Sequence, residues 1–355
     1  MTTNVAAAHA SRSHGAKVAS STPTADQLAI QVNDDKLTLA VARAPQVYMY
    51  GPMDADAPHR VEALIRSWKI PRGSDVYLNS PGGDLDAGIA LGKLFRANGM
   101  VTHLGTPRRV TQRTRSISRD ALCMDACTLA YFGGLYRWAP AGRDRLGWHT
   151  LSTNPKAGAQ QALAVSSYLK DMGIRAETLA PQAGSRDGVV WLDADAMMAS
   201  GAANNGHLPI TATYQLSAGA PSLTLNQMVR NGVNRMVITC KPEGLALTSY
   251  YIVGSDRARQ IVTGAARSFL EIDKQETLPQ RSGGVTKLNE AVVIDRVYPV
   301  NQTARLFSAR SMGAWVVGWS SPLRYGFTLW LAPVRHNVDD FSARCGQAIQ
   351  QHGRR

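Results

Sequence analysis

Between Gln46 and Leu104 the chain alternates apolar runs of strand type with segments whose apolar residues recur at helical spacing. The strand-type runs are QVYMY, DVYLNS and MVTHLG, and HRVEALIRSW and LDAGIALGKLFRA lie between them. Proline and glycine mark the junctions; Asp84 is a predicted helix N-cap, and Gly99 follows the predicted end of the second helix. This alternation predicts a parallel sheet with right-handed crossover helices.

The strand–turn–helix pattern resumes after a polar interruption. The stretch CMDACTLAYFGG reads as a turn followed by an apolar helix, and GRDRLGWHT supplies a strand that ends near His149. AQQALAVSSYLKDMG predicts a long amphipathic helix that ends at Gly173. VVWLDADAMMASG predicts a short strand followed by a helix that Asp193 caps.

From about Tyr214 the pattern changes to short strand-type runs separated by glycine, proline and polar turns. Examples are RMVITC, LTSYYIV, AVVIDRVYPV and YGFTLWLAP. The chain is therefore predicted to have a flexible tail over residues 1–43 and an α/β domain over residues 44–210. A β-rich domain follows over residues 214–355, for which a sandwich is one arrangement, and it ends in a short helix that carries Cys345.

The composition is that of a globular protein, with 44% hydrophobic and 18% charged residues in 355. No segment has the roughly 20 apolar residues of a membrane-spanning helix, and the first residues lack the apolar region of a signal peptide. The net charge is +13, and five arginines lie between Arg108 and Arg119. That run is typical of a solvated loop, but it leaves open a binding module for an acidic partner; nucleic acid is the less favoured partner.

The four cysteines are spaced as two pairs. Cys123 and Cys127 are four residues apart, a spacing that also suits neighbours on one helix, and there is no CxxC motif. No histidines accompany them at ligand spacing, so neither a metal nor another cofactor is expected. Cys240 and Cys345 are able to form a disulfide in an oxidising compartment. A cytoplasmic location is the default, and this pair leaves a periplasmic one open.

Three features of the first domain suit acyl-transfer chemistry. NSPGG places Gly82 and Gly83 at the end of a strand, where backbone N–H groups can face a ligand. Asp125 lies at the turn before the next apolar helix, so the N–H of Ala126 is a second candidate donor to an oxyanion. His149 follows after one helix and one strand, a spacing that can return an imidazole to that turn.

Residues 46–208, which contain these motifs, resemble the proteolytic subunit of Clp protease, of the ClpP/crotonase fold. The resemblance is closest to divergent bacterial members and rests on LNSPGGDLDAGIALGKLFRANGM, CMDACTLAYFGGLYR, LGWH and WLDADAMMASG. It implies repeated ββα units, an oxyanion hole lined by Gly82 and Gly83, and His149 as general base. It also implies a peptide or protein ligand and a homo-oligomer. The C-terminal domain resembles no part of that subunit.

The sequence departs from the family at two catalytic positions. Asp125 stands where the family has its nucleophilic serine. The triad acid falls near Val189, so the nearest carboxylate, Asp187, is the predicted partner of His149. An aspartate has no hydroxyl proton to give up, and its carboxylate could itself fill the oxyanion hole. We therefore expect a serine-peptidase homologue that is impaired or inactive in peptide hydrolysis.

Other roles for the same stretch stay open from the sequence alone. Asp125 could be an N-cap without any chemistry, contributing about 1 kcal/mol to the helix. Its carboxylate could act in acid–base chemistry on an acyl thioester, as carboxylates do elsewhere in the crotonase fold. Alternative nucleophiles in the same motif are Cys123, Cys127 and Thr128.

Overall fold

Buried apolar residues form two separate cores along the chain. The first consists of residues between Leu28 and Ala203, and the second of residues between Ile210 and Cys345. The predicted domain limits remain a prediction. The first core ends at Ala203 and the second begins at Ile210, close to the predicted boundary. The computed structural model describes residues 26–42, 44–107, 120–149, 155–175, 188–217, 220–277, 281–319 and 323–352.

The first region is mixed α/β, and its described strands form two sheets. The parallel arrangement predicted for its first three strand-type runs is confirmed, since Val47 pairs with Val76 and Val76 with Thr102 in parallel register. Its elements are β1 (Ala29–Asn33), α1 (Lys36–Ala42), β2 (Gln46–Tyr50), α2 (Ala57–Arg66), β3 (Asp75–Asn79), α3 (Leu85–Ala97), β4 (Val101–Leu104), β5 (Leu122–Met124), α4 (Ala126–Phe132), β6 (Tyr136–Arg137), β7 (Arg145–His149), α5 (Pro155–Asp171), β8 (Val189–Leu192) and α6 (Ala194–Ser200).

The larger sheet has the strand order β1-β2-β3-β4-β6, and the smaller has the order β5-β7-β8. Strand β5 pairs in parallel with β7, and it meets the end of β3 through a parallel bridge between Ser80 and Cys123. The carboxyl ends of β3, β5 and β7 therefore lie at one edge. That edge carries the Pro-Gly-Gly turn, Asp125 and His149.

The segment predicted as a flexible tail contains a strand and a helix, β1 and α1. Strand β1 pairs antiparallel with β2 along all five of its residues, from Ala29 opposite Tyr50 to Asn33 opposite Gln46. Leu28 is buried in the first core, and Ala29 is buried as well. The prediction of a flexible tail over residues 1–43 is wrong for this part of the segment, because its apolar residues complete the sheet edge.

Helices α3 and α4 approach each other closely through glycines. A Cβ atom at Gly88 would lie 2.3 Å from the carbonyl oxygen of Ala126, and one at Gly133 would lie 2.1 Å from that of Gly92. Only glycine permits this separation. The contact fixes the first residue of α4, which directly follows Asp125.

The far end of α4 is held by two arginines. Arg96 and Arg137 donate hydrogen bonds to the carbonyl oxygens of Phe132 and Gly134, which a helix C-terminus leaves without intrahelical partners. Arg137 is buried, and its burial, followed by the nearby charge of Arg96, lowers its pKa to about 10. Desolvation disfavours the charged form, so this anchor depends on several carbonyl acceptors.

The second region is dominated by antiparallel sheets. The β-rich interpretation of its short strand-type runs is confirmed by the pairing of its strands. Its elements are β9 (Thr211–Ser217), β10 (Ala220–Val229), β11 (Gly232–Lys241), β12 (Gly244–Ile252), α7 (Ser255–Thr263), β13 (Ala265–Ile272), β14 (Gln275–Thr277), β15 (Arg281–Leu288), β16 (Ala291–Pro299), α8 (Thr303–Ser308), β17 (Ser311–Gly318), β18 (Arg324–Trp330) and α9 (Arg335–His352).

These strands form a six-stranded sheet, β15-β16-β12-β11-β10-β9, and a four-stranded sheet, β14-β13-β17-β18. Residues of both sheets and of α9 share the second core. The closing helix is longer than the short one predicted, at 18 residues, and a disulfide joins its Cys345 to Cys240 of β11. No helix in the described ranges combines the length and apolar character needed to cross a membrane.

Candidate active site

The backbone bends sharply at Asp125, between β5 and α4. Asp125 has φ +48° and ψ −109°, and its N–H donates to the carbonyl oxygen of Gly147 at 3.1 Å. A positive φ at a residue other than glycine costs of order 1–3 kcal/mol and persists only where the surroundings enforce it. The turn therefore presents the Asp125 side chain in a conformation that the neighbouring strands hold.

Asp125 does not cap helix α4 with its side chain, so the simple N-cap interpretation is wrong. An N-cap residue has extended backbone angles and accepts a hydrogen bond from the first turn, and Asp125 shows neither feature. Asp84 and Asp193 do both, accepting from the N–H groups of Ala87 and Ala196 at 2.8 Å. These two caps confirm the predictions made for them.

The Asp125 carboxylate is bound by His149 through both of its oxygens. The His149 backbone N–H donates to Oδ1 at 2.7 Å, and ring atom Nδ1 lies 2.8 Å from Oδ2. The Asp125 side chain is 25% exposed and the His149 side chain 59% exposed. The sequence placed these two residues near each other, and the structure brings them into direct contact.

The Pro-Gly-Gly turn lies against the same carboxylate. A Cβ atom at Gly82 would lie 3.4 Å from Asp125 Oδ2 and 3.3 Å from the carbonyl oxygen of Met124. The N–H of Gly82 faces Ser80 Oγ at 3.2 Å, within the turn. Gly82 thus packs against Asp125 without a hydrogen bond to it, because the Gly82 N–H donates to Ser80 Oγ within the turn.

Two other amides of the predicted oxyanion hole have no partner among the described residues. Met53 donates to the carbonyl oxygen of Gly82 and accepts from the N–H of Asp84, so the Gly83 amide is not used in this bridge. The N–H of Ala126 opens helix α4, where the first amides have no intrahelical acceptor. The expected blocking of these amides by the Asp125 carboxylate is wrong in this structure, because the carboxylate turns to His149 instead.

The alternative nucleophiles in the motif are all occupied. Cys123 and Cys127 are buried and joined to each other by a disulfide, so neither offers a thiol. Thr128 is buried, and its hydroxyl donates to the carbonyl oxygens of Gly147 and Cys123 at 2.6 and 3.2 Å. Those three hypotheses are therefore wrong. The disulfide across Asp125 was missed because a C-x3-C spacing also suits a single helix, and only the strand–helix junction distinguishes the two.

The predicted triad acid has no structural counterpart in the described ranges. His149 pairs with Val189 across β7 and β8, at the position where the family resemblance places the acid. Asp187 lies outside the described residues, so its assignment as partner of His149 stays a prediction, as does a role for the arginines of 108–119. The one carboxylate that the described residues place on His149 is that of Asp125.

Comparisons with known proteins give a likeness to solved structures but none to a family model or a curated protein. No family model matches the sequence, and no curated protein matches it. Among solved structures, a ClpP1 mutant from Listeria monocytogenes matches at 15% sequence identity with a TM-score of 0.32. The match covers 47% of this chain and 94% of the ClpP1 chain.

Proposed function

We propose that this protein is a serine-peptidase homologue that has exchanged its hydroxyl nucleophile for a carboxylate and does not cleave peptides through an acyl-enzyme. The observation that carries the proposal is the contact between Asp125 Oδ2 and His149 Nδ1, at the turn where a nucleophile would stand. A carboxylate has no proton for an adjacent base to remove. Its addition to an amide would give an unstable mixed anhydride.

The same geometry supports a site that keeps its ligand-facing parts. The turn at Asp125, the Gly82 contact and the uncommitted amides of Gly83 and Ala126 suit an extended acyl or peptide group at this edge. Binding of such a ligand, with slow or no turnover of amides, is the function that we assign to the first region. A homo-oligomer, as the resemblance implies, is part of this proposal.

Fluorophosphonate labelling with a fluorogenic-peptide assay tests the proposal. The native protein should remain unlabelled and should not release the fluorophore above background. Asp125→Ser should gain labelling at the new hydroxyl, because the His149 ring and the amides of Gly83 and Ala126 lie beside this turn. Asp193→Ser is the matched control, since it puts a serine at another strand–helix junction without a histidine. Labelling of the native chain on a residue of this site would overturn the proposal.

A further inference from the structure

His149 turns Nδ1 toward Asp125, so Nε2 is the ring nitrogen left for chemistry. The carboxylate accepts from Nδ1–H and holds the imidazole in the tautomer that has a lone pair on Nε2. The His149 side chain is 59% exposed, and among the described residues none is hydrogen-bonded to Nε2. This arrangement is that of an oriented general base open to solvent.

A second hydrogen bond to the Asp125 carboxylate restricts the orientation of the His149 ring. The His149 backbone N–H fixes Oδ1, and the Gly147 carbonyl oxygen fixes the Asp125 backbone, so the pair is held from two directions. The negative charge of Asp125 also stabilises the imidazolium that forms when Nε2 takes a proton. Asp125 is thus a positioning residue, and His149 is the group that meets the reactants.

We propose that the Asp125–His149 pair catalyses hydrolysis of activated acyl compounds, esters or thioesters, with water as the nucleophile and His149 Nε2 as the general base. The inference rests on the function proposed above, in that it needs no acyl-enzyme. Amides are excluded as good substrates, because resonance with nitrogen makes their carbonyl a weak electrophile for water and nitrogen is a poor leaving group from the tetrahedral intermediate. The amides of Gly83 and Ala126 are the donors for the oxyanion.

The step balances without a further reagent. Nε2 takes one proton from water while the water oxygen bonds to the acyl carbon and the carbonyl oxygen gains the negative charge. The bond from the acyl carbon to the leaving oxygen or sulfur then breaks as the carbonyl re-forms. The leaving atom takes the proton back from Nε2, and the products are a carboxylic acid and an alcohol or thiol.

Hydrolysis of p-nitrophenyl acetate by the full chain tests this step. Positioned acid–base groups contribute typically 10²–10⁴-fold, so His149→Ala should lower the rate above background by about 10²-fold or more. Asp125→Asn should lower it comparably, because an amide N–H at Nδ1 forces the proton onto Nε2. His336→Ala, at an exposed histidine of α9, is the matched control for unspecific imidazole reactivity and should leave the rate unchanged.

A solvent isotope effect and mass spectrometry separate this mechanism from its competitors. The native rate above background should fall in D2O, because Nε2 takes a proton from water in the step that forms the bond to the acyl carbon; direct attack by a side chain would leave the rate nearly unchanged. No acetylated protein should accumulate during turnover. A native rate equal to that of His149→Ala, or a build-up of acetyl-His149 or acetyl-Asp125, would overturn the inference. Fluorophosphonate labelling reports on the proposed function alone, so the two can fail separately.

Discussion

A disulfide joins Cys123 to Cys127, and the two half-cystines stand on either side of Asp125, one in β5 and one in α4. The bond ties the end of the strand to the first turn of the helix. The residue between them has φ +48°, which an unconstrained aspartate rarely adopts. The disulfide is therefore one of the constraints that hold the turn at Asp125 in its strained conformation.

Removing this disulfide should loosen the turn at Asp125 while the rest of the fold stays intact. Because the bond closes a short loop, chain entropy predicts a loss of about 2 kcal/mol in the free energy of unfolding for the double variant Cys123→Ala/Cys127→Ala. The urea midpoint should fall accordingly, while the far-ultraviolet spectrum stays native. The histidine signal of His149 in NMR should broaden or shift. An unchanged His149 signal would contradict a role for this bond in holding the site.

The Pro-Gly-Gly turn makes a second prediction through Gly83. A Cβ atom there would lie 2.2 Å from the carbonyl oxygen of Met53, at a φ of +139°. Gly83→Ala should therefore destabilise the protein by roughly 3 kcal/mol or more and displace the turn from Asp125. Gly173→Ala is the matched control, since Gly173 also has a positive φ but has nothing within 4 Å of a Cβ atom.

The Gly173→Ala variant should lose only about 1–2 kcal/mol, the cost of the left-handed backbone. Thermal unfolding of both variants measures the difference. Equal losses would mean that the approach of Met53 to the Gly83 turn is looser than the structure shows.

The sequence could predict those parts of the site that depend on local patterns, and it could not predict those that depend on tertiary contacts. The strand–turn–helix pattern, the caps at Asp84 and Asp193, and the return of His149 to the turn are local or depend on element lengths, and sequence reasoning found them. The N-cap hypothesis for Asp125 failed because a positive φ is set by tertiary contacts. No periodicity shows such a backbone angle.

Long-range geometry explains the other misses. The sheet edge at Ala29 depends on pairing with β2, and the mixed apolar and polar run AIQVN does not show that pairing by itself. The ring nitrogen that His149 offers to Asp125 depends on the relative placement of β5 and β7. Sequence spacing predicted proximity, but the orientation of the imidazole needed coordinates.

The close helix pair predicts a reversal of a familiar effect. Replacing a helical glycine by alanine normally stabilises a protein by roughly 0.5–1 kcal/mol. At Gly88 of α3 the new Cβ atom would lie 2.3 Å from the Ala126 carbonyl oxygen, so Gly88→Ala should destabilise and shift the start of α4. Gly346 of α9 has nothing within 4 Å, so Gly346→Ala should stabilise. Opposite signs in the two unfolding free energies are expected, and a stabilised Gly88→Ala would disprove the close contact.

Buried tyrosines predict that the folded protein is sensitive to high pH. Burial raises the pKa of Tyr298 to about 12, and it also raises the pKa values of Tyr131 and Tyr168 well above their ordinary value. In the unfolded chain these phenols ionise near pH 10, so above that pH the unfolded state holds fewer protons than the folded state. The contribution of these tyrosines to the free energy of unfolding is therefore fully present below about pH 10, and it is lost as pH rises toward their pKa values in the folded protein.

Arg137 acts in the opposite direction, because its pKa is lowered to about 10 and its folded-state proton is lost earlier than in the unfolded chain. Burial also raises the pKa of Tyr77 to about 12, so four strongly shifted tyrosines among the described residues act against Arg137, and the net effect should be a loss of stability. Tyrosinate absorbance and circular dichroism, followed together in an alkaline titration, measure it. The late part of the tyrosinate signal should coincide with unfolding; a complete tyrosinate signal in a still-folded protein would contradict the burial of these phenols.

The second disulfide should contribute more to the free energy of unfolding than the disulfide at the Asp125 turn. Cys240 and Cys345 are 105 residues apart, and their bond ties α9 to β11. Because the entropy of loop closure grows with loop length, Cys240→Ala/Cys345→Ala should lose about 4–5 kcal/mol, roughly twice the loss from the short loop. Urea unfolding of the two double variants, each compared with the native protein, gives both numbers. The reverse order would show that the closure of the β-rich region depends on its core alone, and that the bond at Asp125 stabilises far more than its own turn.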